Sequence, residues 1–206
     1  MKIAFLVFDK LTALDAVGPY EVLSRIPEVD LRFVAKEPGE KRTDTGALGI
    51  TADVALADFA DPDILLVPGG EGNRPLMEDA EVLDWIRAAH EGAKWTTSVC
   101  TGSLVLGAAG LLEGRRATSH WAYRHELANF GAEPVAERVV VDGDVVTAAG
   151  VSAGIDMALQ LTALEYGPEL ASGIQLGIEY DPEPPFDSGS PEKADPQLVE
   201  LVRAVA

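Results

Sequence analysis

A chain of 206 residues is long enough for one well-buried domain and short for two. Its 47% hydrophobic and 24% charged residues suit a water-soluble globular protein, and 34 acidic against 16 basic side chains leave a net charge of −18, which repels phosphate backbones and anionic bilayers. Nucleic acid and membrane are therefore poor candidates as partners, and the single cysteine excludes an internal disulfide or a multi-cysteine metal site and fits a reducing cytoplasm.

Ile3 to Phe8 is a continuous apolar run, expected of a strand covered on both faces and too short for a signal or membrane segment. In Leu11 to Leu23, Gly18-Pro19 reads as a helix start with proline in the first turn. Asp15 is then expected in the loop after strand one, at the ligand-bearing edge of an open α/β sheet. A capping or turn role suits Asp15 as well. Leu31 to Ala35 reads as a second strand, and Thr43 to Val54, with Gly46 and Gly49, as a hairpin-like excursion.

Asp63 to Gly70 reads as a buried strand ending in Gly69-Gly70. That glycine pair suits either an anion or oxyanion nest or an ordinary strand-ending turn. Asp79 to Glu91 is an amphipathic helix, with Val82, Trp85, Ile86 and Ala89 on one face.

Trp95 to Val99 reads as the central strand. It runs through Cys100 directly into a small-residue helical segment, Gly102 to Gly107, with no turn residues between. A nucleophile there sits on a sharp strand-to-helix corner, as serine does in G-x-S-x-G, of which S-x-C-x-G is a relative. A sulfur facing a helix N-terminus is expected to have its pKa lowered by unpaired N–H groups and the helix dipole. The competing reading is a buried cysteine packed as a small hydrophobe.

Arg115 to Thr118 follows as an extended piece, then Ser119-His120-Trp121 and a helix from about Ala122 to Phe130 closed by Gly131. Asp142-Gly143 between β-branched runs predicts a hairpin with a type I′ turn. Ala148-Ala149-Gly150 leads by small residues into a helix containing Ile155 to Leu161, and the passage permits close approach to the Cys100 corner. Pro168 to Tyr180 reads as another helix, Asp181 to Pro191 as a proline-rich loop, and Gln197 to Val205 as a terminal helix. The alternation of strands and helices gives an α/β class with a mainly parallel sheet and helices on both faces.

With Cys100 at the corner, Asp15 after strand one and Pro-Gly-Gly ending at Gly70, nearly the whole chain resembles the DJ-1/PfpI superfamily. Within it, four blocks are similar to the isocyanide hydratase family: Thr97 to Leu112, Arg116 to Tyr123, Ala153 to Asp156 and Glu183 to Phe186. The resemblance implies a single domain over 1–206, with the Pro-rich loop and short terminal helix at about 181–206. It implies a flavodoxin-like three-layer sandwich, a homodimer, no cofactor, and addition of water to a small isocyanide to give an N-formamide.

Carried over by residue, the resemblance makes Cys100 the nucleophile, Asp15 the carboxyl that moves protons and Thr101 a supporting hydroxyl. Gly69, Gly70, Ala149, Gly150 and His120 are candidates for holding substrate or an oxyanion. His120 equally suits an N-cap or structural role beside Trp121, and Thr101 a bond to backbone at the helix start. Thr101 stands where many superfamily members carry histidine, which weakens a protease-like reading.

Glyoxalase-like, deglycase or amidase chemistry could use the same sulfur and carboxyl. So could a redox or ligand sensor in which the thiolate is oxidised. Against a regulator of the AraC type, no basic helix-turn-helix segment is read before Ala206.

Overall fold

The computed structural model describes residues 1–204. The chain runs β1 (Lys2–Leu6), α1 (Ala13–Leu23), β2 (Asp30–Ala35), β3 (Gly39–Arg42), β4 (Gly49–Ala52), β5 (Val54–Ala55), β6 (Ile64–Val67), α2 (Asn73–Leu76) and α3 (Ala80–Gly92). It continues through β7 (Trp95–Val99), α4 (Gly102–Ala108), β8 (Arg116–Ala117), β9 (Glu133–Pro134), β10 (Val139–Asp142), β11 (Val145–Ala148), α5 (Ala153–Tyr166), α6 (Pro168–Gly177) and α7 (Pro196–Arg203).

Seven strands form the central sheet in the order β10-β11-β7-β6-β1-β2-β5. All neighbours are parallel except β10, which pairs antiparallel with β11. Because parallel strands are covered on both faces, β6 reads Ile-Leu-Leu-Val and is buried at every position. α1, α5 and α6 pack as one group of helices and α3 with α4 as another, which makes the expected flavodoxin-like α/β sandwich.

β1 is followed in sequence by β2 on one side and flanked by β6 on the other, so the chain reverses direction across the sheet between β1 and β6. In open α/β sheets such a switch point, at the carboxyl ends of the strands, leaves a crevice for ligands. The segments leaving β1, β6 and β7 carry Asp15, Gly69-Gly70 and Cys100 respectively.

Several local expectations change. α1 begins at Ala13, not Gly18, and holds Pro19 in its interior, so Asp15 stands in the first helical turn and not in a loop. The proline forfeits a helical hydrogen bond. The compensation is tertiary: Gly18 and Pro19 lie against α5, where a Cβ on Gly154 would come within 2.9 Å of Pro19 Cγ and 3.0 Å of Val99 Cγ2. The hairpin starts at Gly39, earlier than Thr43, and Arg124–Phe130 is a 3-10 helix, not an α-helix, still closed by Gly131 at φ +74°.

The β10–β11 turn is Gly143-Asp144, set by the pairing of Asp142 with Val145. Only Gly143 has positive φ, so the turn has the II′ pattern, not the I′ pattern. The terminal helix spans Pro196–Arg203; Val205, the end of the expected helix, and Ala206 lie outside the described residues.

The tightest approach in the sheet-helix packing is at Gly102, where a Cβ would meet Val67 O at 2.1 Å and Pro68 O at 2.8 Å. Backbone cannot yield as a side-chain tip can. Gly102→Ala is therefore expected to destabilise the fold by about 3 kcal/mol, at the upper end of overpacking costs, read as a lowered urea midpoint with unchanged m-value.

Candidate active site

Cys100 adopts φ +57°, a backbone region unfavourable for a side chain with a Cβ. The surrounding hydrogen bonds hold it there. Its N–H donates to the carbonyls of Ala148 at 3.1 Å and Ala149 at 2.9 Å, continuing the β7–β11 ladder past its last pair, Ala148 with Val99. Its carbonyl accepts from Ser103 Oγ at 3.1 Å and Ser119 Oγ at 3.0 Å. Both ends of the residue are thereby fixed, and Cys100 lines the cavity beyond the carboxyl ends of the strands.

Asp15 is fully buried. Its Oδ2 accepts the Gly69 N–H at 2.8 Å, while Oδ1 is sealed from solvent with no hydrogen-bond partner. A proton on this carboxyl therefore belongs on Oδ1, because Oδ2 must remain an acceptor. Burial is the main cause that raises the Asp15 pKa to about 7; the nearby Asp44 carboxylate adds to the rise, whereas the Gly69 N–H and a hydrogen bond with the Cys100 thiol oppose it.

Thr101 is the third member. Its Oγ1 accepts from Gly70 N–H at 3.1 Å and from Asn73 Nδ2 at 2.9 Å. With both acceptor sites engaged, the hydroxyl hydrogen is left free to donate, and a hydrogen bond from this hydroxyl favours the Cys100 thiolate. The N–H groups of Thr101 and Val151 favour it too.

The expected lowering of the cysteine pKa is overturned all the same. Burial, and after it the Asp15 charge, push the thiol up to about 12, because a seven-residue helix end cannot offset removal from water beside a carboxylate. Between about 7 and about 12 the two groups hold a single proton.

The other expected residues take different places. Gly69 and Gly70 make no anion nest: their N–H groups are engaged by Asp15 and Thr101, so the pair positions the site. Gly69 could not be replaced simply, since a Cβ there would lie 2.7 Å from Asp15 Oδ2 and 2.8 Å from Thr101 Oγ1. Ala149 is likewise no donor to a ligand, because its N–H is bonded to Arg138 O and its carbonyl holds Cys100.

Gly150 packs against His120, where a Cβ would meet Cδ2 at 2.8 Å. His120 has its pKa lowered by burial, its Nδ1 accepts the Ala122 N–H at 3.4 Å, and it lines the cavity next to Cys100. No hydrogen bond links its ring to the sulfur.

Asn73, Ser119, Val151 and Asp44 were not found by sequence. Asn73 is 2% exposed and lies three residues beyond Gly70, but a single asparagine in a Gly-Asn-Arg-Pro stretch carries no spacing signal. Ser119 stands beside the residue that the resemblance singled out, His120.

Cys100 opens on a cavity of about 710 Å³ whose apolar side includes Met77, Leu104, Tyr123, Val151 and Val202. Thr12, Asp44, Glu71 and Arg74 supply polar groups at the same cavity. Among the described residues no three His, Cys, Asp or Glu side chains converge as a metal site requires. A nucleophile, a buried carboxyl hydrogen-bonded to it and a largely apolar chamber for a small organic molecule are what the arrangement offers chemically.

Comparison with known proteins agrees with this geometry. The DJ-1/PfpI family pattern matches residues 1–164. An isonitrile hydratase of Pseudomonas putida is 47% identical over 203 residues, covering 98% of this chain and 89% of the relative. A deglycase of Thermococcus kodakarensis is 33% identical over 151 residues, 71% of this chain and 89% of its own. Among solved structures, a THiJ/PfpI family protein from Pseudomonas syringae superposes with a TM-score of 0.96 at 39% identity, covering 99% of this chain and 85% of that one.

The buried carboxyl also leaves a mark on stability. Its folded pKa of about 7 exceeds the ordinary value of 3.8, so between those pH values the folded chain binds more protons than the unfolded one. Stability therefore falls as pH rises through that window, by up to about 4 kcal/mol. Asp15→Asn removes the linkage: its stability relative to the parent is expected to improve by that order between pH 4 and pH 8, measured by urea denaturation at both.

Proposed function

The chain belongs to the DJ-1/PfpI family, and from that premise we propose that it hydrates isocyanides, converting R–N≡C and water into the formamide R–NH–CHO. The observation that carries the reading is the meeting of its one thiol, which lines a largely apolar chamber, with a buried carboxyl that can exchange a proton with it, in a chain whose likeness to an isonitrile hydratase extends over 98% of its length. The deglycase likeness covers 71%.

In the proposed reaction, the Cys100 sulfur attacks the terminal carbon of the isocyanide. As the C–S bond forms, one C–N π pair moves to nitrogen while the carbon keeps its lone pair, and Asp15 delivers a proton to that carbon, leaving the thioimidate R–N=CH–S–Cys100. In the one-proton state the lower pKa of Asp15 leaves the proton on sulfur, so the carboxylate takes the thiol proton as sulfur attacks and passes it to the carbon. Asp15, now a carboxylate, takes a proton from water as the oxygen adds to the C=N carbon. Asp15 passes that proton to the nitrogen and takes the hydroxyl proton as the tetrahedral adduct collapses, which breaks the C–S bond, releases the formamide and returns the thiolate to the Thr101 and Val151 donors.

Each proton and each bond is accounted for without a cofactor. Gly69 and Gly70 act here by fixing Asp15 and Thr101, and His120 with Gly150 by shaping the chamber wall. The reading extends to one domain over the whole chain, a homodimer and a cytoplasmic location. No described helix is long and apolar enough to cross a membrane.

With an aryl isocyanide and formamide production followed chromatographically, Cys100→Ser is expected to abolish turnover and Asp15→Asn to lower kcat by about a hundredfold or more, with circular dichroism unchanged in both. Full turnover in Asp15→Asn would remove the carboxyl from the reaction.

A further inference from the structure

Residues 165–206 lie beyond the family match, yet the C-terminal helix α7 returns to the chamber, where Val202 lines the same space as Cys100. No residue of α7 is buried, and eight residues are too few to hold a helix by themselves in water. Its stability must come from capping and docking. The Asp195 side chain accepts the Gln197 N–H at 2.8 Å, and Pro196 occupies the first turn.

The docking is specific in direction. Arg203 places its guanidinium 5.5 Å from the centre of the Trp121 ring. Leu198, Val199 and Val202 share a second, smaller space of about 100 Å³ with Trp121 and the Ser188–Pro191 segment. Trp121 adjoins His120, a wall residue of the main chamber, so α7 rests on the very segment that lines the Cys100 cavity. Leu201, the neighbour of Val202, lines neither space and is 64% exposed.

We propose that α7 forms the outer wall of the substrate chamber and that Val202 determines how bulky a substituent R the protein accepts; the inference rests on the isocyanide reading. Isocyanides are linear through carbon and nitrogen, so seating the terminal carbon at the Cys100 sulfur sends R straight away from it into the cavity. At 38% exposed, Val202 is a rim residue: enlarging it narrows the chamber and trimming it widens the chamber, without touching the thiol or Asp15. A part of the chain that the family pattern does not include thus selects among substrates, while the shared core performs the chemistry.

The test compares Val202→Phe, Val202→Ala and Leu201→Phe in two assays. One is the ratio of kcat/KM for a bulky aryl isocyanide to that for methyl isocyanide. The other is the ratio of Cys100 alkylation rates by pyrenyl maleimide and by iodoacetamide, which needs no turnover. Val202→Phe is expected to lower both ratios by about tenfold, Val202→Ala to raise both, and Leu201→Phe to move neither beyond about twofold.

Equal ratios in Val202→Phe and the parent, or an equal fall in Leu201→Phe, would overturn the proposal. Absence of isocyanide turnover in the parent, with the alkylation ratio still responding to Val202, would overturn the hydratase reading and uphold the wall.

Discussion

The site depends on one constrained residue. Cys100 at φ +57° carries a backbone cost on the order of 1–3 kcal/mol, opposed by hydrogen bonds at both its N–H and its carbonyl. The partners come from three different parts of the chain: the end of β11, the first turn of α4, and the segment after β8. The conformation is therefore a property of the assembled fold. Parallel pairing of β7 with β11 brings the Ala148 and Ala149 carbonyls alongside, and the glycine-thin contact between α4 and the end of β6 lets the helix begin close enough for Ser103 to reach back.

Once the sulfur is fixed, the electrostatics follow from burial. Water around either group would let the thiol and the carboxyl titrate separately. Sealed together, they can accommodate one negative charge but not two at moderate pH. The donors are distributed unequally, Gly69 alone facing the carboxyl and Thr101 with Val151 facing the sulfur. Burial still leaves the single proton on sulfur, the weaker acid of the two, and the donors facing the sulfur ease its transfer to the carboxylate as an electrophile arrives. Asn73 and Gly70 serve this arrangement at one remove, by filling the Thr101 acceptor sites so that its hydroxyl can only donate.

The chamber divides its labour along the chain. The shared α/β core supplies the sulfur, the acid and their supports, all from the carboxyl ends of β1, β6, β7 and β11. Variation is cheapest where nothing is deeply buried, and α7 meets that condition, since its contacts with Trp121 and the cavity are peripheral to the sheet. On the proposed reading, selectivity among substrates changes there without disturbing the strained elbow.

Strand and helix order was legible from residue pattern, because parallel strands buried on both faces announce themselves as unbroken apolar runs, as in Ile64–Val67, and Trp95–Val99 meets the helix at Cys100 with no turn residue between. The family resemblance pointed to Cys100, Asp15 and Thr101. Local signals misled where tertiary contacts dominate: Pro19 looked like a helix start, but packing of α1 on Gly154 outweighs the lost hydrogen bond, and Cys100 looked like a low-pKa thiol by its helix end, but burial beside Asp15 outweighs the dipole.

Asn73, Ser119 and the Val151 N–H acquire meaning only when segments distant in sequence are brought together. The amino-acid order by itself determined which elements form and which thiol is available, because periodicity and composition are local. Only the tertiary structure decided the charge state and the shape of the site, because desolvation and hydrogen bonding depend on which segments exclude water from one another.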